Sequence, residues 1–439
     1  MRKRAWIGLL VALSLVGASC GGGDDEEDAT KGGPQTGGAS LAGQELEVAA
    51  TWSGAEQANF ARVLDRFKER TGATVRFTST GDDIATILGT RIQGGSPPDV
   101  AVLPQPGLLK DLAQRQALKP IEDVAGKAVD ENYPPGWREL GSVGGTLYGV
   151  WFKAANKSTV WYRAKAFADA GVQPPQTWED LKRVAGTIAD SGVTPFAVGG
   201  GDGWPLTDWF ENVYLRTAGP ELYDKLSRHE IPWTDPSVKK ALTTLSEIFG
   251  KPEWLAGGTN GALATTFDKS VAQVFGDPPQ AAILYEGDFV ANNIAKDTKA
   301  KVGVDAKLFP FPSIDGSKPS VVGGGDVAVL LKDSPAGKEL IRFLATPEAA
   351  EPWAEAGGFT SPNKKLDLDR YADDTTRQSA QALTGAEIFR FDLSDLVPAA
   401  FGATSGQGMW KILQDFLKNP ANVDGITQQL EAAATVATR

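Results

Sequence analysis

Two periods organise the hydrophobic and polar positions after residue 45. Leu46-Glu47-Val48-Ala49-Ala50 reads as a strand that ends at Trp52-Ser53-Gly54. Phe60, Val63, Leu64 and Phe67 then recur at helical spacing. Thr71-Gly72 closes that helix, and Thr74-Val75-Arg76-Phe77 forms a second strand. Ile84, Ile87, Leu88 and Ile92 mark the next helix, and Pro97-Pro98 precedes a third strand over residues 99–103. Strand and helix in alternation predict a parallel sheet with right-handed crossovers. Ligands of such sheets bind beyond the carboxyl ends of the strands. That singles out loops 51–56, 78–83 and 104–107. A second α/β region begins near Lys153, with helical patterns at 163–170, 177–191, 207–218, 236–249, 336–345 and 408–418. A chain of 439 residues exceeds one ordinary core, so two lobes are expected.

The first residues point to export. Met1-Arg2-Lys3-Arg4 is basic, and residues 5–16 are apolar but too few to span a bilayer. Gly17-Ala18-Ser19 then precedes Cys20 in an arrangement that resembles a bacterial lipobox, with Gly17 where that pattern prefers Leu. The expectation is a signal peptide over 1–19, lipid on Cys20, and a flexible Gly-, Asp-, Glu- and Ser-rich tether over 20–44. The protein would then sit on the extracytoplasmic face of the cell membrane, held only by its lipid.

A net charge of −11 argues against nucleic acid, whose phosphates need basic partners. One Cys and one His allow neither an internal disulfide nor a zinc site of the usual Cys/His type. No metal or other cofactor is expected. His229 lies in the polar run Ser227-Arg228-His229-Glu230 and reads as a surface residue. Gly126-Lys127, Gly250-Lys251 and Gly337-Lys338 lack the Ser or Thr of a P-loop, and no Gly-x-Ser-x-Gly elbow occurs. Twelve Trp against seven Tyr is a high ratio, and indole offers a flat platform for the C–H faces of sugars as well as bulk for a core.

Several strings carry a family resemblance. Gly94-Gly95-Ser96-Pro97-Pro98-Asp99-Val100 resembles the "Gly-x-x-Pro-Asp" signature of extracellular solute-binding proteins. Gly149-Val150-Trp151-Phe152 with Val160-Trp161-Tyr162-Arg163 resembles their first passage between lobes. Thr177-Trp178-Glu179-Asp180-Leu181 resembles a helix start common in sugar binders, and Phe343-Leu344-Ala345-Thr346-Pro347-Glu348 resembles a late helix of the first lobe. The match is closest to the maltose-binding-protein-like carbohydrate branch. Residues 104–107, 152–158, 203–209 and 389–395 look like its α-glucoside-binding group. The resemblance implies a two-lobed periplasmic-binding-protein-like α/β fold (class II) with a ligand cleft and three passages, near 150–155, 305–312 and 356–362. The first lobe would hold 45–152 plus 311–356, and the second 153–310 plus 357–439. It implies a monomer that delivers a sugar to the permease subunits of an ABC importer, without catalysis.

Sugar recognition combines aromatic faces with groups that fix hydroxyls, and carboxylates accept two hydroxyl protons at once. Trp52 and Glu56 join a strand end to a helix start, where Glu56 also suits the helix dipole. Asp82 and Asp83 follow the second strand and serve equally as helix caps. Gln105 sits between two prolines, and Lys153 lies at the first passage. The Gly-rich run 199–203 leads into Trp204, Asp208 and Trp209, of which Trp209 also suits a core. Glu286 and Asp288 follow the apolar run 281–284, in a segment where maltose-binding proteins carry a stacking Trp. Asp326, Phe359 and Trp410 complete the candidates. The same carboxylates would suit a glycoside hydrolase, whose paired acids act at a fixed separation. A sugar-sensing ectodomain on this fold is the third reading.

Overall fold

The computed structural model describes residues 40–438. The expected signal segment, Cys20 and tether residues 21–39 lie outside the described residues. Residues 41–44, expected in the tether, belong to the folded body. Leu41 is buried, and its N–H donates to the Thr71 carbonyl at 2.7 Å. Among the described residues, no helix is long and apolar enough to cross a membrane.

Two sheets anchor two halves. In the first, the strands run in the spatial order Ile388–Phe391, Ser320–Leu330, Val100–Leu103, Glu45–Ala50, Thr74–Ser79, and Gly149–Asn156 also pairs with Ser320–Leu330. Glu45–Ala50 is parallel to both its neighbours, as the strand-helix alternation requires. Side chains of this sheet alternate between two cores. Val100 and Val102 face one, Ala101 and Leu103 the other; Val150 and Phe152 oppose Trp151 in the same way. Helices cover both faces, so these strands read as unbroken apolar runs. The second sheet has the order Ala306–Pro310, Thr159–Arg163, Ile283–Tyr285, Phe196–Ala197. It too divides its side chains: Val160, Tyr162 and Ile283 enter one core, Trp161 and Leu284 the other.

Asp99 shows what its signature does. It is buried, its carboxylate accepts the Glu47 N–H at 2.9 Å and the Ser334 hydroxyl at 3.0 Å, and so it ties strand to helix start.

The chain leaves the first sheet between Asn156 and Thr159, returns between Pro310 and Ser320, and leaves again after Phe391. Residues 150–155, expected as the first passage, pair within the first sheet as part of Gly149–Asn156, and the second passage, expected at 305–312, follows Pro310. The third was expected near 356–362. Residues 357–391, expected in the second lobe, pack against the first. Phe359, Leu366, Tyr371 and Ala380 share a core with Val48 and Trp353, Thr360 bridges Ala154, and Ile388–Phe391 pairs in parallel with Ser320–Gly323. Gly357 and Gly358, at φ 92° and 63°, turn the chain back onto the first core rather than across. Its buried side chains join the second core from Leu393 onward, with Ile388 already packed at that core's edge.

Candidate functional site

A cavity of about 400 Å³ lies between the halves and is lined by residues of both. That volume falls in the range of small-molecule sites.

The first half contributes its strand ends. Trp52 and Glu56 follow Glu45–Ala50, Gln105 follows Val100–Leu103, and Asp82 follows Thr74–Ser79. Trp52 meets Phe60 and Trp353 edge-on at 4.7 and 4.8 Å and is 3 % exposed, so most of its ring is core. Lys153, Ala155 and Lys157 alternate along Gly149–Asn156 and its exit, and the period of two brings all three to the cavity. Lys153 Nζ stands 2.5 Å from Glu56 Oε1 and 3.8 Å from Asp326 Oδ2. Burial opposes the charge on Lys153, but Glu56 and then Asp326 outweigh it and hold the ammonium above its ordinary pKa. Asp326 is pushed up to about 6, by burial first, against the pull of Lys153. The register of the paired strands shifts between Asp326 and Val327, and such irregularities re-aim a side chain next to a site.

The second half contributes aromatic rings. Trp204 opens the helix Trp204–Ala218 directly after Gly203. Gly203 has φ +88°, and a Cβ there would lie 2.7 Å from the Cβ of Trp410. Glycine is therefore what lets Trp204 and Trp410 share the wall. Phe267 and Phe289 pack on Trp204 at 5.1 and 6.0 Å. Asp202 accepts the Phe267 N–H at 2.7 Å and holds the glycine run against the helix Phe267–Phe275. Phe289 also receives Lys153 Nζ 5.4 Å from its ring centre, a contact between the two halves.

Behind the cavity lies a charged network on the passages. Lys157 Nζ is 3.1 Å from Asp208 Oδ1 and also hydrogen-bonds Asp392. Asp392 accepts the Ser394 hydroxyl at 2.7 Å, and Glu211 accepts the backbone N–H of Leu393 and Ser394 at 2.7 and 2.9 Å. These bonds fix the start of the third passage, from which Ser394 and Asp395 reach the cavity. Burial opposes ionisation of Asp392, but Lys157 and the adjoining hydrogen bonds hold its carboxyl well below the usual range. Asp208, Glu211, Glu286 and Asp395 are all pushed well up, by burial first and then by their neighbouring carboxylates. Asp208, Glu211 and Asp392 bring oxygens within 4.8 Å of one another, the spacing of a metal site. Lys157 already supplies the cation, and backbone N–H groups occupy both oxygens of Glu211.

Of the fourteen residues singled out in the sequence, eight line the cavity: Trp52, Glu56, Asp82, Gln105, Lys153, Trp204, Asp326 and Trp410. Six lie elsewhere. Asp83 is exposed beside the start of the helix Ile84–Gln93. Asp208 is fully buried on Lys157. Trp209 is core, edge-on to Tyr285 at 4.6 Å. Glu286 is buried, with neither oxygen hydrogen-bonded among the described residues. Asp288 accepts the Thr360 and Ser379 hydroxyls at 2.7 and 3.0 Å and so pins the halves together. Phe359 packs on Phe152 and Trp353. The sequence reading missed Lys157, Asp202, Phe267, Asp268, Phe289 and Asp395. Lys157 carried a signal, since it lies four residues from Lys153 on one strand face, and so did Phe289, an aromatic in the segment where maltose-binding proteins carry a stacking Trp; Phe267 carried none.

Comparison with known proteins agrees with this geometry. The family model of the bacterial extracellular solute-binding protein matches residues 51–351. The chain is 33 % identical to the osmoprotective compounds-binding protein GgtB of Synechocystis sp. (strain ATCC 27184 / PCC 6803 / Kazusa), over 94 % of this chain and 93 % of that protein. It is 35 % identical to the alpha-glucosides-binding periplasmic protein AglE of Rhizobium meliloti (strain 1021), over 88 % and 86 %. Among solved structures, the bacterial solute receptor AcbH superposes with a TM-score of 0.79 at 22 % identity, covering 90 % of this chain and all of that one. A chitin oligosaccharide binding protein gives 0.76 at 20 % identity, covering 90 % and 98 %. Two halves around a cleft, the Asp99 tie and these matches lead to one statement: the chain belongs to the bacterial extracellular solute-binding protein family and has its two-lobed α/β fold.

Proposed function

We propose that this protein is the carbohydrate receptor of an ABC importer, that its ligand is an α-glucoside or short oligosaccharide, and that it releases this ligand unchanged. The observation that carries the reading is the pairing, in one cavity, of the indoles Trp204 and Trp410 with the hydroxyl-fixing groups Glu56, Lys153 and Asp326. Gln105 Oε1 and Trp410 Nε1 add support, since both are buried polar atoms without a hydrogen-bond partner among the described residues, on side chains that line the cavity. The 35 % identity to an α-glucoside-binding relative supports the ligand class. Export by the segment 1–19, a lipid on Cys20 and delivery to permease subunits by a monomer complete the proposal, supported by the sequence around Cys20 and by the family.

Capture without turnover fits the electrostatics. Glu56 is committed to Lys153, and Asp326 lies within reach of the same ammonium. Both carboxylates are thus held in place to accept hydroxyl protons rather than left free to attack an anomeric carbon. A thermal-shift panel of mono- and oligosaccharides tests the reading. Ligand at a hundredfold excess over Kd stabilises the folded state by about 2.7 kcal/mol. A rise in Tm with an α-glucoside supports it; a panel with no rise from any sugar overturns it.

A further inference from the structure

The charges around the cavity are unequal, and the inequality has a consequence for ligand choice. Seven carboxylates line the cavity against two ammonium groups. Both ammonium groups are already engaged, Lys153 by Glu56 and Asp326, Lys157 by Asp208 and Asp392. Five lining carboxylates, those of Asp82, Asp202, Asp268, Asp297 and Asp395, have no Lys, Arg or His within 4.0 Å among the described residues.

Three of them line the cavity from both halves. Asp82 belongs to the first half, and Asp202 and Asp268 to the second. Asp82 keeps contact with solvent, yet its pKa is pushed up to about 6, first by the protein crowded around it and then by Asp202, Asp83 and Asp268. Asp202 and Asp268 accept only uncharged donors, the Phe267 N–H at 2.7 Å and the Asn293 amide at 2.6 Å. A cleft walled by low-dielectric protein focuses such a field on whatever enters.

We infer that the cleft sorts glycosides by charge: it admits neutral and amine-bearing sugars and turns away anionic ones such as uronates and sugar phosphates, with Asp82 and Asp268 as specificity-determining residues. Both lining ammonium groups are committed, so an entering anion meets seven carboxylates, and the nearby Lys296, whose Nζ would lie 3.3 Å from a Cβ on the lining Gly54, is one charge against them. A neutral glycoside donates hydroxyl protons to the same oxygens. The inference rests on the reading of the cleft as a sugar site.

The test uses pairs that differ in charge but not in size. Calorimetry compares methyl α-D-glucoside and methyl α-maltoside with their terminal uronates and the matching uronamides, at low salt and pH 7.5. The uronate is expected to bind at least tenfold more weakly than its uronamide, and the gap should narrow at least threefold in Asp82→Asn and in Asp268→Asn. Both variants alter side chains open to solvent, so neither threatens the fold. Uronate binding within threefold of the uronamide overturns the inference and leaves the sugar receptor standing. A gap that neither variant narrows overturns the assignment to these residues. Where bulk excludes both carboxyl forms, the 6-amino-6-deoxy glycoside, the size of its parent, gives the reading. It should bind at least as well as the parent, and tenfold weaker binding overturns the inference. If neither parent glycoside binds, the inference and the reading beneath it fall together.

Discussion

Replacing Lys157 with Met removes one ammonium and keeps most of the stem. The two carboxylates it serves, Asp208 and Asp392, are both 0 % exposed. Breaking a buried pair from one side costs about 3–5 kcal/mol, because the abandoned charge has no solvent to turn to. Against a typical stability of about 5–15 kcal/mol, the variant should fold with a much reduced margin. The pH dependence distinguishes lost charge compensation from lost packing. In the native protein Asp392 lies below its usual range, so its contribution is complete above the unfolded pKa of about 3.9 and fades as pH falls through the lower folded value. Without Lys157 the folded pKa of Asp392 rises, and the native state takes up a proton that the unfolded chain releases. The penalty is then largest near neutrality and shrinks as pH falls. Urea unfolding followed by Trp fluorescence, at pH 7 and pH 4.5, measures both. A loss under about 1 kcal/mol at pH 7, or one that does not shrink at pH 4.5, refutes the view that Lys157 compensates this cluster.

Three other outcomes follow from the geometry. Trp204→Ala removes a platform; half of the roughly 200 Å² that an indole buries, at about 25 cal/mol/Å², is about 2.5 kcal/mol, or roughly 70-fold in Kd by calorimetry. Gly203→Ala sets a Cβ 2.7 Å from that of Trp410 at φ +88°, so it should lower affinity at least tenfold and stability by about 1–3 kcal/mol, read from the same titrations and from urea midpoints. Glu47 is held down to about 2, chiefly by its fork to Arg91 with both bonds at 2.7 Å. Its stabilisation is present above pH 4.5 and lost as pH falls through about 2, so Glu47→Gln should flatten the fall of Tm between those values.

Helices were legible wherever the 3.6-residue period ran long. Phe60, Val63, Leu64 and Phe67 on Gly54–Thr71 are buried as the pattern required, and the starts of Pro236–Phe249 and Gly408–Lys418 match the expected ranges. The strand-end rule led to Trp52, Glu56, Asp82 and Gln105, because the position of a loop after a parallel strand is a local property. The third passage was not legible. Gly357-Gly358-Phe359 looks locally like a crossing, and contacts distant in sequence keep that stretch on the first half: the Thr360 bridge to Ala154, the core shared with Val48, and the pairing of Ile388–Phe391 with Ser320–Gly323, more than sixty residues away. The same limit applied to Glu286 and Asp288. Their sequence gave acidic groups after a buried strand, but the choice between cleft and interior was made by partners far along the chain, Thr360 and Ser379 for Asp288. Phe289, one residue later, faces the cavity instead.

The central claim is capture of a sugar by the cleft without conversion. Isothermal titration with the α-glucoside that gives the largest thermal shift, followed by recovery of the sugar and its analysis by NMR, tests it directly. One saturable site per chain and a sugar recovered intact after prolonged incubation are the expected results. Newly formed reducing ends, or no saturable heat at millimolar sugar, would contradict it.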